Sequence, residues 1–504
     1  MAAPRLLPPV VEDLLPALAG RRVWVVGGSV RDVLLDRPSQ DVDFVVAGDA
    51  LALGRRLANE AGADYFDLDA DRGTGRMLLT TGAGRKTVFD FARLQGGSIE
   101  QDLRLRDFTL NAMAVAIDDP TRLIDPTGGR VHLQKRWLEA CSPTAVLDDP
   151  VRGLRAVRLA GELDARIAPE TARQVENASR LIGEVSAERL RDEFFRLLGL
   201  TSPSASIRLL DHLGWLTALL PELEPLRGLK QPEAHAFDAL RHTLAVVDGL
   251  ERLEWILPEE DVDDRATDLV SGMAIHRLGR FRRPLKAYLD LNLSVGRTRR
   301  QALYLAALLH DAGKAKTIST DPDGRIRFLG HEAVGAAMTV EACRRLALSL
   351  AETAEIESLV AHHLRPEWLE RTPEISRRAI YRFYRSTGST GVGVVLLSLA
   401  DLLGRHVPPT PQDVWSSRLE VARTLLEAWF ESRPEKVEPA PLLDGNEVMR
   451  LVGMTPGPKV GRLLEELREA QASGEIESVG DAQAFVRARF DQIESEGKNE
   501  RPPG

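Results

Sequence analysis

Residues 23–46 read VWVVGGSVRDVLLDRPSQDVDFVV, and this stretch decides the fold of the first part of the chain. Val23–Val26 is a short apolar run rich in β-branched residues, and two glycines end it, which predicts a strand and a tight turn. Ser29 can then cap a helix that runs through Asp32–Leu35. Pro38 interrupts the chain before DVDFVV, whose alternation of acidic and apolar residues predicts a second strand.

Asp41 and Asp43 lie two residues apart on the second predicted strand, so their carboxylates project from one face. Neighbouring carboxylates repel each other unless a cation lies between them, and oxygen-only ligands suit Mg²⁺. Gly27 and Gly28 allow the backbone to approach an anion closely, and the N-terminus of the following helix offers N–H groups to phosphate. Together these features predict a site for a metal-bound nucleoside triphosphate.

The combination of GGSVRD at 27–32 with DVD at 41–43 resembles the nucleotidyltransferase head of the class II, or bacterial-type, CCA-adding enzymes and poly(A) polymerases. The resemblance implies a polymerase-β-like α/β head in which Asp41 and Asp43 are catalytic and bind Mg²⁺. A third catalytic acid, Asp90, is implied to help activate the incoming 3′-hydroxyl. The implied nucleotide-binding residues of the head are Gly27, Gly28, Arg31, Asp32, Arg106, Asp107 and Asn111. The family usually has two arginines before the last aspartate, whereas here Leu105 replaces the first.

Residues 147–163, LDDPVRGLRAVRLAGEL, predict a helix with Arg152, Arg155 and Arg158 along one side. A carboxylate acceptor beside a guanidinium donor matches the amino group and ring nitrogen that cytosine and adenine share. The same pair leaves unpaired groups against uracil and guanine, which is costly. Asp149 and Arg152 are therefore predicted to select CTP and ATP without a nucleic-acid template. The stretch resembles the family's base-reading motif, which implies that Arg155 and Arg158 contact phosphates.

A later helix, Ala187–Gly199, resembles the family's neck helix. The resemblance implies that Arg189 and Glu193 brace the base-reading helix. These two residues are also spaced as i,i+4 partners, so an ordinary surface ion pair between them is an alternative.

Six of the ten histidines fall between His242 and His363. The pair His310-Asp311 follows an apolar helical run and precedes Gly-Lys, and this pattern resembles the HD phosphohydrolase superfamily. The resemblance implies a metal site formed by His242, His310, Asp311 and Asp401, with His331 and His362, or its neighbour His363, as the extra ligands of two-metal members. Imidazole and carboxylate ligands suit Mn, Fe, Ni or Zn. The implied chemistry is attack of a metal-activated water on a phosphate ester.

The composition is that of a soluble globular chain: 504 residues predict two to four domains, with 43% hydrophobic and 28% charged residues. The formal net charge of −9 means that RNA binding must depend on local basic patches. Cys141 and Cys343 are the only cysteines, which excludes a disulfide scaffold and favours a cytoplasmic location. No stretch offers ~20 apolar residues, so we expect no membrane span.

Strand signals end near residue 140, and apolar residues at helical spacing follow. We therefore predict an α+β chain with a nucleotidyltransferase head (1–140), an all-α neck with the base-reading helices (141–230), an HD-type helical domain (231–408) and a helical tail (409–504). The family resemblance implies that the tail contacts the body of a tRNA.

The resemblance implies a template-independent RNA nucleotidyltransferase that adds or repairs the 3′-CCA end of tRNA from CTP and ATP, with a fused HD phosphohydrolase domain. Three alternatives share these motifs: a poly(A) polymerase, an enzyme that adds only CC, and one that adds only A. The loop at Arg93–Gln101 is the place where they are expected to differ. An alternative of another class is an HD phosphohydrolase with an inactive RNA-binding head, although the intact Asp41, Asp43 and Arg152 argue against it. No particular oligomeric state is predicted.

Overall fold

The computed structural model describes residues 5–39, 41–80, 86–232, 236–256, 268–372, 374–407 and 410–499, with side chains to residue 493. The chain divides into two compact units, Met1–Leu219 and Leu220–Gly504. The first contains a sheet followed by helices, and the second is built of helices with short hairpins. This confirms the predicted α+β class. The four predicted domain ranges stay predictions, and the boundary at 408/409 lies outside the described residues.

In the first unit the strands are β1 (Val23–Val26), β2 (Asp41–Val46), β3 (Asp64–Asp69), β4 (Thr74–Thr80), β5 (Lys86–Arg93), β6 (Ala114–Ala116), β7 (Asp119–Ile124), β8 (Trp137–Leu138) and β9 (Arg166–Ile167). The helices are α1 (Leu15–Leu18), α2 (Gly28–Leu34), α3 (Ala50–Ala61), α4 (Ile99–Arg104), α5 (Gly129–Gln134), α6 (Arg152–Leu163), α7 (Pro169–Ala178), α8 (Ala187–Leu198), α9 (Pro203–His212) and α10 (Trp215–Leu219). Short 3-10 helices cover Pro9–Leu14, Thr109–Asn111 and Ser179–Glu184.

The sheet of the first unit has seven strands in the order β3-β4-β5-β2-β1-β6-β7. Strands β2 and β5 pair in parallel, and the other neighbours are antiparallel. One face is apolar: the ring of Phe44 stacks on that of Phe91 at a centroid distance of 5.1 Å, and α3 packs against this side. Because side chains alternate along a strand, Asp41 and Asp43 project from the opposite face.

The turn after β1 differs in detail from the sequence prediction. Helix α2 begins at Gly28, two residues earlier than a cap at Ser29 implies, and its N-cap is Gly27 with a φ of +76°. Ser29 does not cap this helix, because its hydroxyl donates to the Val26 carbonyl at 3.0 Å. A glycine is needed at position 27, since a positive φ strains any residue with a Cβ. The helix therefore starts directly at the end of the strand.

In the second unit the helices are α11 (Ala239–Ile256), α12 (Leu269–Leu278), α13 (Arg282–Leu289), α14 (Arg299–Leu309), α15 (Lys314–Thr317), α16 (His331–Arg345), α17 (Leu350–His362), α18 (Arg365–Glu370), α19 (Arg377–Thr387), α20 (Gly391–Arg405), α21 (Gln412–Phe430), α22 (Arg433–Lys436), α23 (Gly445–Val452), α24 (Pro458–Ser473) and α25 (Val479–Asn499). Two hairpins join β10 (Asn292–Ser294) to β11 (Arg297–Thr298) and β12 (Ile318–Thr320) to β13 (Ile326–Phe328). Further 3-10 helices cover Pro221–Leu226, Gly279–Phe281 and Gly388–Thr390.

The centre of the second unit is formed by α11, α14, α17 and α20. Helix α14 is buried from Gln301 to Leu309, which explains its unbroken apolar sequence. Helices α11 and α20 approach closely at Gly249, where an added Cβ would lie 2.9 Å from the Ala400 carbonyl oxygen. This close packing brings the polar side chains of the two helices together inside the unit.

The segment Arg377–Arg405 contains a stretch that is apolar and long enough to cross a membrane by composition alone. However, 83% of that stretch is buried inside the protein. Its apolar surface is thus used in core packing, as in the central helix of a globular domain. The absence of a membrane span stays a prediction.

Glu352 fixes the start of α17 and is 1% exposed. It accepts hydrogen bonds from the Ser294 hydroxyl at 2.7 Å and the Ser349 backbone N–H at 2.8 Å, and it pairs with Arg297. Burial by itself would raise the pKa of Glu352, but hydrogen bonds from Arg297, Ser349 and Ser294 outweigh it and lower the pKa to about 2. The ionised carboxylate is therefore a buried anchor for this helix.

We expect Glu352→Ala to lower the free energy of unfolding by about 3 kcal/mol at neutral pH, because it leaves the Arg297 guanidinium without its buried partner. The folded pKa lies below the ordinary value, so this stabilisation is present above about pH 4.5 and is lost as the pH falls towards 2. Urea unfolding at several pH values measures it. The exposed Glu341→Ala serves as control; equal effects of the two substitutions would contradict the anchoring role.

Candidate nucleotide and metal sites

A row of side chains crosses the polar face of the sheet at the first candidate site. Strand register places Asp43 beside Val26 on one side and beside Asp90 on the other, and Asp90 beside Arg76. Asp41 lies two residues before Asp43 on the same face of β2. The structure therefore brings Asp41, Asp43 and Asp90 to one area of the sheet, next to the Gly27 turn.

Asp43 is held where a carboxylate needs a cation. Burial raises its pKa, the neighbouring Asp90 and Asp41 add to the rise, and Arg106 and Arg155 oppose it. A Cβ at Gly27 would lie 3.1 Å from Asp43 Oδ2 and 3.2 Å from Arg106 Nη1, so the glycine leaves room for these two groups. A buried carboxylate with a raised pKa, next to a second carboxylate on the same strand face, fits the oxygen ligands that a divalent ion requires.

Asp90 is engaged by a residue that sequence reasoning missed. Arg76 donates from Nε and Nη2 to the two carboxylate oxygens of Asp90 at 2.7 and 2.8 Å. Such a forked pair is specific and strong. The signal that could have found Arg76 is its place in the short β-rich run that precedes the strand of Asp90 in the sequence. In this conformation Asp90 is committed to Arg76, while its catalytic role stays a prediction.

The remaining head residues form one buried network. Arg31 donates to Asp32 at 2.8 Å and to the Asn111 side-chain oxygen at 2.8 Å. Asn111 in turn contacts Asp107, which lies 2.8 Å from Arg155 Nε. Burial alone would raise the pKa of Asp107, but the Arg155 guanidinium and the Phe108 N–H outweigh it, so the pKa is lowered. The network ties the GGSVRD turn to the start of the base-reading helix.

Arg106, the phosphate-binding candidate, also lies in this area. Its Nε atom is 3.4 Å from Asp102, the residue one helical turn earlier in α4. Its Nη1 atom faces the Gly27 turn.

The loop between β5 and α4 is fixed by the same carboxylate. Gln95 N–H donates to the second oxygen of Asp102 at 3.0 Å. The loop between β5 and α4 is thus short and held at its base by Asp102.

The base-reading pair predicted from the sequence is adjacent in the structure. Arg152 Nε lies 3.7 Å from Asp149 Oδ2, and Arg152 Nη1 donates to the Ala145 carbonyl at 3.0 Å. From α8, Arg189 donates to Asp149 at 2.7 Å. Asp149 and Arg152 are each about a quarter exposed, so their side chains can reach a ligand. Arg189 thus pairs with the base-reading segment rather than with its own helix.

Arg158 is placed differently from its neighbours. Its side chain is 11% exposed and pairs with Glu193 of α8 at 2.8 Å and with Glu162 at 2.6 Å. The Nε and Nη1 atoms of the Arg158 guanidinium are therefore each paired with a carboxylate. The predicted phosphate contact of Arg158 has no support in this geometry, and the residue instead joins α6 to α8. The family resemblance implied that Glu193 supports the base-reading helix, and in the structure Glu193 of α8 pairs with Arg158 of that helix.

The second candidate site lies inside the helical unit. Two groups of buried side chains have ligand atoms close enough to share a metal ion: His242, His310 and Asp401 form one, and Asp311, His331 and His363 form the other. His242 comes from α11, Asp401 from α20, and the remaining residues from the ends of α14, α16 and α17. His242 Nε2 lies 3.1 Å from Asp401 Oδ1. Widely separated parts of the chain thus converge on one polar centre.

Asp311 lies at the middle of this centre. Its oxygens are 3.1 Å from His310 Nε2, 3.3 Å from His331 Nε2 and 4.0 Å from His363 Nε2. Burial alone would raise the pKa of Asp311, but His310 and Lys314 outweigh it and hold the pKa well below its ordinary value. An ionised carboxylate between imidazoles has the chemistry of a ligand that two metal ions share.

Three of the imidazoles are fixed in an orientation suited to metal binding. The Nδ1 atoms of His310, His331 and His363 lie 2.7–2.8 Å from backbone carbonyls three residues earlier, which leaves Nε2 directed to the centre. Among the described residues, the buried Nε2 atoms of His310 and His331 have no hydrogen-bond partner. Buried polar atoms without partners are costly, so these nitrogens fit metal coordination.

The structure corrects the choice between the two adjacent histidines. His363 belongs to the centre and is 1% exposed, whereas His362 lies outside both groups. Burial lowers the pKa of His362, and the nearby Arg365 lowers it further. Position alone could not separate the two, because consecutive residues at the end of a helix point about 100° apart and the sequence does not fix the helix rotation.

Two basic residues also belong to the centre. Lys314, the lysine of the Gly-Lys pair that follows His310-Asp311, lies 2.6 Å from Asp311 and donates to Gln231 at 2.6 Å. Arg405, which sequence reasoning missed, pairs with Asp401 at 2.6 Å. Its i,i+4 spacing from Asp401 is a signal that could have identified it.

Three family models match successive parts of the chain. The poly A polymerase head domain matches residues 23–139, the probable RNA and SrmB-binding site of polymerase A matches 165–227, and the HD domain matches 239–404. The first contains the acid row, and the last contains the six candidate metal ligands of the histidine centre. The matches therefore agree with the two sites described above.

Relatives match over nearly the full length. The A-adding tRNA nucleotidyltransferase of Deinococcus radiodurans is 34% identical, over 92% of this chain and 94% of its own. The CC-adding tRNA nucleotidyltransferase of Geobacter sulfurreducens is 31% identical, over 94% of each chain. Among solved structures, a CCA-adding enzyme in its apo form I has a TM-score of 0.62 at 19% identity and covers 96% of this chain and 95% of its own. This last match shows the shared fold.

Proposed function

Because the chain belongs to the tRNA nucleotidyltransferases, we propose that it adds or repairs the 3′-CCA end of tRNA from CTP and ATP without a template. The observation that carries the proposal is the row of Asp43 and Asp90 in register, with Asp41 on the same face beside the Gly27 turn. The proposal includes a cytoplasmic location, where tRNA and both nucleotides are present.

Asp41 and Asp43 are the residues that would hold a divalent ion in the head, and Mg²⁺ suits their oxygen ligands. In the two-metal phosphoryl transfer proposed here, one bound ion would lower the pKa of the attacking hydroxyl and a second would neutralise the leaving pyrophosphate. The chain supplies the positioning: backbone N–H groups at the start of α2 and the Arg106 guanidinium face the triphosphate. The hydrogen-bond network of Arg31, Asn111 and Asp107 holds the start of α2 in position.

Base choice is assigned to Asp149 and Arg152. The carboxylate accepts from the amino group of cytosine or adenine, and the guanidinium donates to the adjacent ring nitrogen. Uracil and guanine present a carbonyl and an N–H in reversed order, so both contacts are lost and two partly buried polar groups remain unpaired. Arg189 contributes to base recognition because its hydrogen bond holds the Asp149 carboxylate in one orientation.

For the helical unit we propose metal-dependent hydrolysis of a phosphate ester. His242, His310 and Asp401 would hold one metal ion, and Asp311, His331 and His363 a second. Mn, Fe, Ni or Zn suit this mixture of imidazole and carboxylate ligands, and the bound ion would supply an activated water at neutral pH. The backbone contacts of the imidazoles fix their tautomers for this role.

The experiment that tests the function uses tRNA transcripts that end before the CCA sequence, after CC, or after CCA. Each is incubated with the purified protein and each nucleoside triphosphate alone and in combination. Addition of CC to the first transcript and of A to the second is expected, with no addition to the third. A long A tail on RNAs other than tRNA would overturn this proposal in favour of a poly(A) polymerase.

A partial enzyme is the second candidate, because the relatives that match over the full length are named A-adding and CC-adding enzymes. The same transcripts separate the cases. An enzyme that adds only CC leaves the CC-ended transcript unchanged with ATP, and one that adds only A leaves the shortest transcript unchanged with CTP.

We expect Asp149→Ala to relax base choice more than it weakens triphosphate binding. The ratio of UTP to CTP incorporation should rise about tenfold or more, because the unpaired carboxylate no longer penalises uracil. The neighbouring Asp148→Ala is the matched control, since Asp148 accepts only from the Thr144 hydroxyl in this structure. Equal loss of all four nucleotides in Asp149→Ala, with unchanged ratios, would contradict a base-reading role.

A further inference from the structure

A groove on the surface of the helical unit lies apart from the histidine centre. It has a volume of about 280 Å³ and is formed by α18 and α19. Its lining includes Arg365, Trp368, Leu369, Arg378, Arg382 and Phe383. None of the groove's described lining residues is acidic. In a chain with a net charge of −9, a groove with three arginines and no carboxylate in its wall is complementary to an anion.

Arg365 is the cation of this groove with the fewest bonds. Among the described residues it forms no ion pair, and its one hydrogen bond goes to the Ser386 hydroxyl. The Arg365 side chain is partly buried in the wall of the groove. A half-buried guanidinium without a counter-ion is poorly compensated, so a bound phosphate would supply the missing charge.

The other two arginines form ion pairs with α24 and with the residues that directly follow it. Arg378 pairs with Glu469 and Glu475, and Arg382 with Glu469 at 2.6 Å. The Arg382 side chain is 65% exposed, and an ion pair this accessible to water contributes little. Arg382 can therefore turn to a ligand at small cost, whereas Arg378 holds the wall of the groove.

Trp368 supplies a flat apolar surface at the same place. It lies one helical turn after Arg365 and is 45% exposed, although a tryptophan is usually well buried. An exposed indole beside arginines is the combination by which proteins hold an unstacked base and its phosphate. An acidic peptide would use the arginines but would leave the indole without a partner.

We propose that this groove binds one nucleotide of an RNA strand, with the base stacked on Trp368 and the phosphate held by Arg365 and Arg382. The proposal depends on the proposed function for the choice of tRNA as the RNA, and it adds a contact in the helical unit. The groove is open to solvent, so a continuous strand can enter and leave it.

Binding of a tRNA transcript by fluorescence anisotropy, at several salt concentrations, tests the proposal. Trp368→Ala and Arg365→Ala are each expected to weaken binding about five- to tenfold, and Arg365→Ala to reduce the salt slope by about one. Trp368→Phe, which keeps a ring, and Arg344→Ala, an exposed arginine paired with Glu341, are matched controls expected to stay within twofold of the unmodified protein.

An affinity within twofold in both Trp368→Ala and Arg365→Ala would overturn the proposal. So would equal competition by AMP or CMP, since this would indicate a pocket for free nucleotides. The test is separate from the proposed function, because it measures RNA affinity and not transfer. At saturating tRNA, kcat is expected to be unchanged in the groove variants while KM rises.

Discussion

Asp43→Asn is expected to reduce nucleotide addition by at least about 10³-fold while the protein stays folded. The substitution keeps the shape of the side chain and removes the charge that would hold the metal ion. Transfer of labelled CMP to a tRNA transcript lacking CCA measures the loss. The phosphate-ester hydrolysis proposed for the helical unit should be unchanged, because the candidate metal ligands of that unit come from a different part of the chain.

The thermal stability of Asp43→Asn tests the raised pKa of Asp43 independently of activity. Burial and the neighbouring acids raise the folded pKa of Asp43, so the ionised carboxylate costs stability at neutral pH in the absence of metal. Its contribution is most favourable below the ordinary value of 3.8 and is lost as the pH rises through the raised pKa. Asn resembles the protonated form, and the Tm of Asp43→Asn in EDTA at pH 7 should equal or exceed that of the unmodified protein.

The matched control for this prediction is Asp67→Asn on β3. Asp67 is more than a third exposed and pairs with Arg55 on the surface, so its removal should leave activity within twofold. A lower Tm in Asp43→Asn would contradict the raised pKa of Asp43. A joint loss of nucleotide addition and of the proposed hydrolysis in a folded protein would contradict two independent sites.

The sequence predicted the parts of the head that depend on local pattern. Spacing by two residues placed Asp41 and Asp43 on one face, whereas Asp90 was implied as the third acid by the family resemblance. It could not predict that Arg76 binds Asp90, because strand order and register are set by long-range pairing. The sequence also could not show that Ser29 does not cap α2. A serine at this position can either cap the helix or, as observed, donate to the Val26 carbonyl at the end of β1.

The helical unit shows the same division. An apolar run that ends in His-Asp marked the centre, but the ligands come from five helices whose rotation the sequence leaves open. His362 and His363 differ only in which side of α17 they face, and packing of α17 on α14 decides this. Arg405 was missed because an arginine near a helix end is also typical of a solvated surface.

Asp311→Asn is expected to weaken metal binding at the histidine centre by at least about 100-fold, since changes to groups that only support ligands already cost about 10–100-fold. Asp311 is the carboxylate within reach of His242, His310, His331 and His363, so its charge stabilises whichever ion is bound. Metal content after loading with Mn²⁺, Fe²⁺, Ni²⁺ or Zn²⁺ and desalting measures the effect. Nucleotide addition by the same preparation shows that the head is intact.

The two adjacent histidines provide the sharpest control for that experiment. His363→Ala removes an imidazole of the centre and should lower the metal content, whereas His362→Ala should retain it, because His362 lies outside both ligand groups. The two variants lose the same chemical group from neighbouring positions, so a general loss of stability would affect them alike. Equal metal content in both would show that His363 is not a ligand, and equal loss in both would indicate that α17 is simply unfolded.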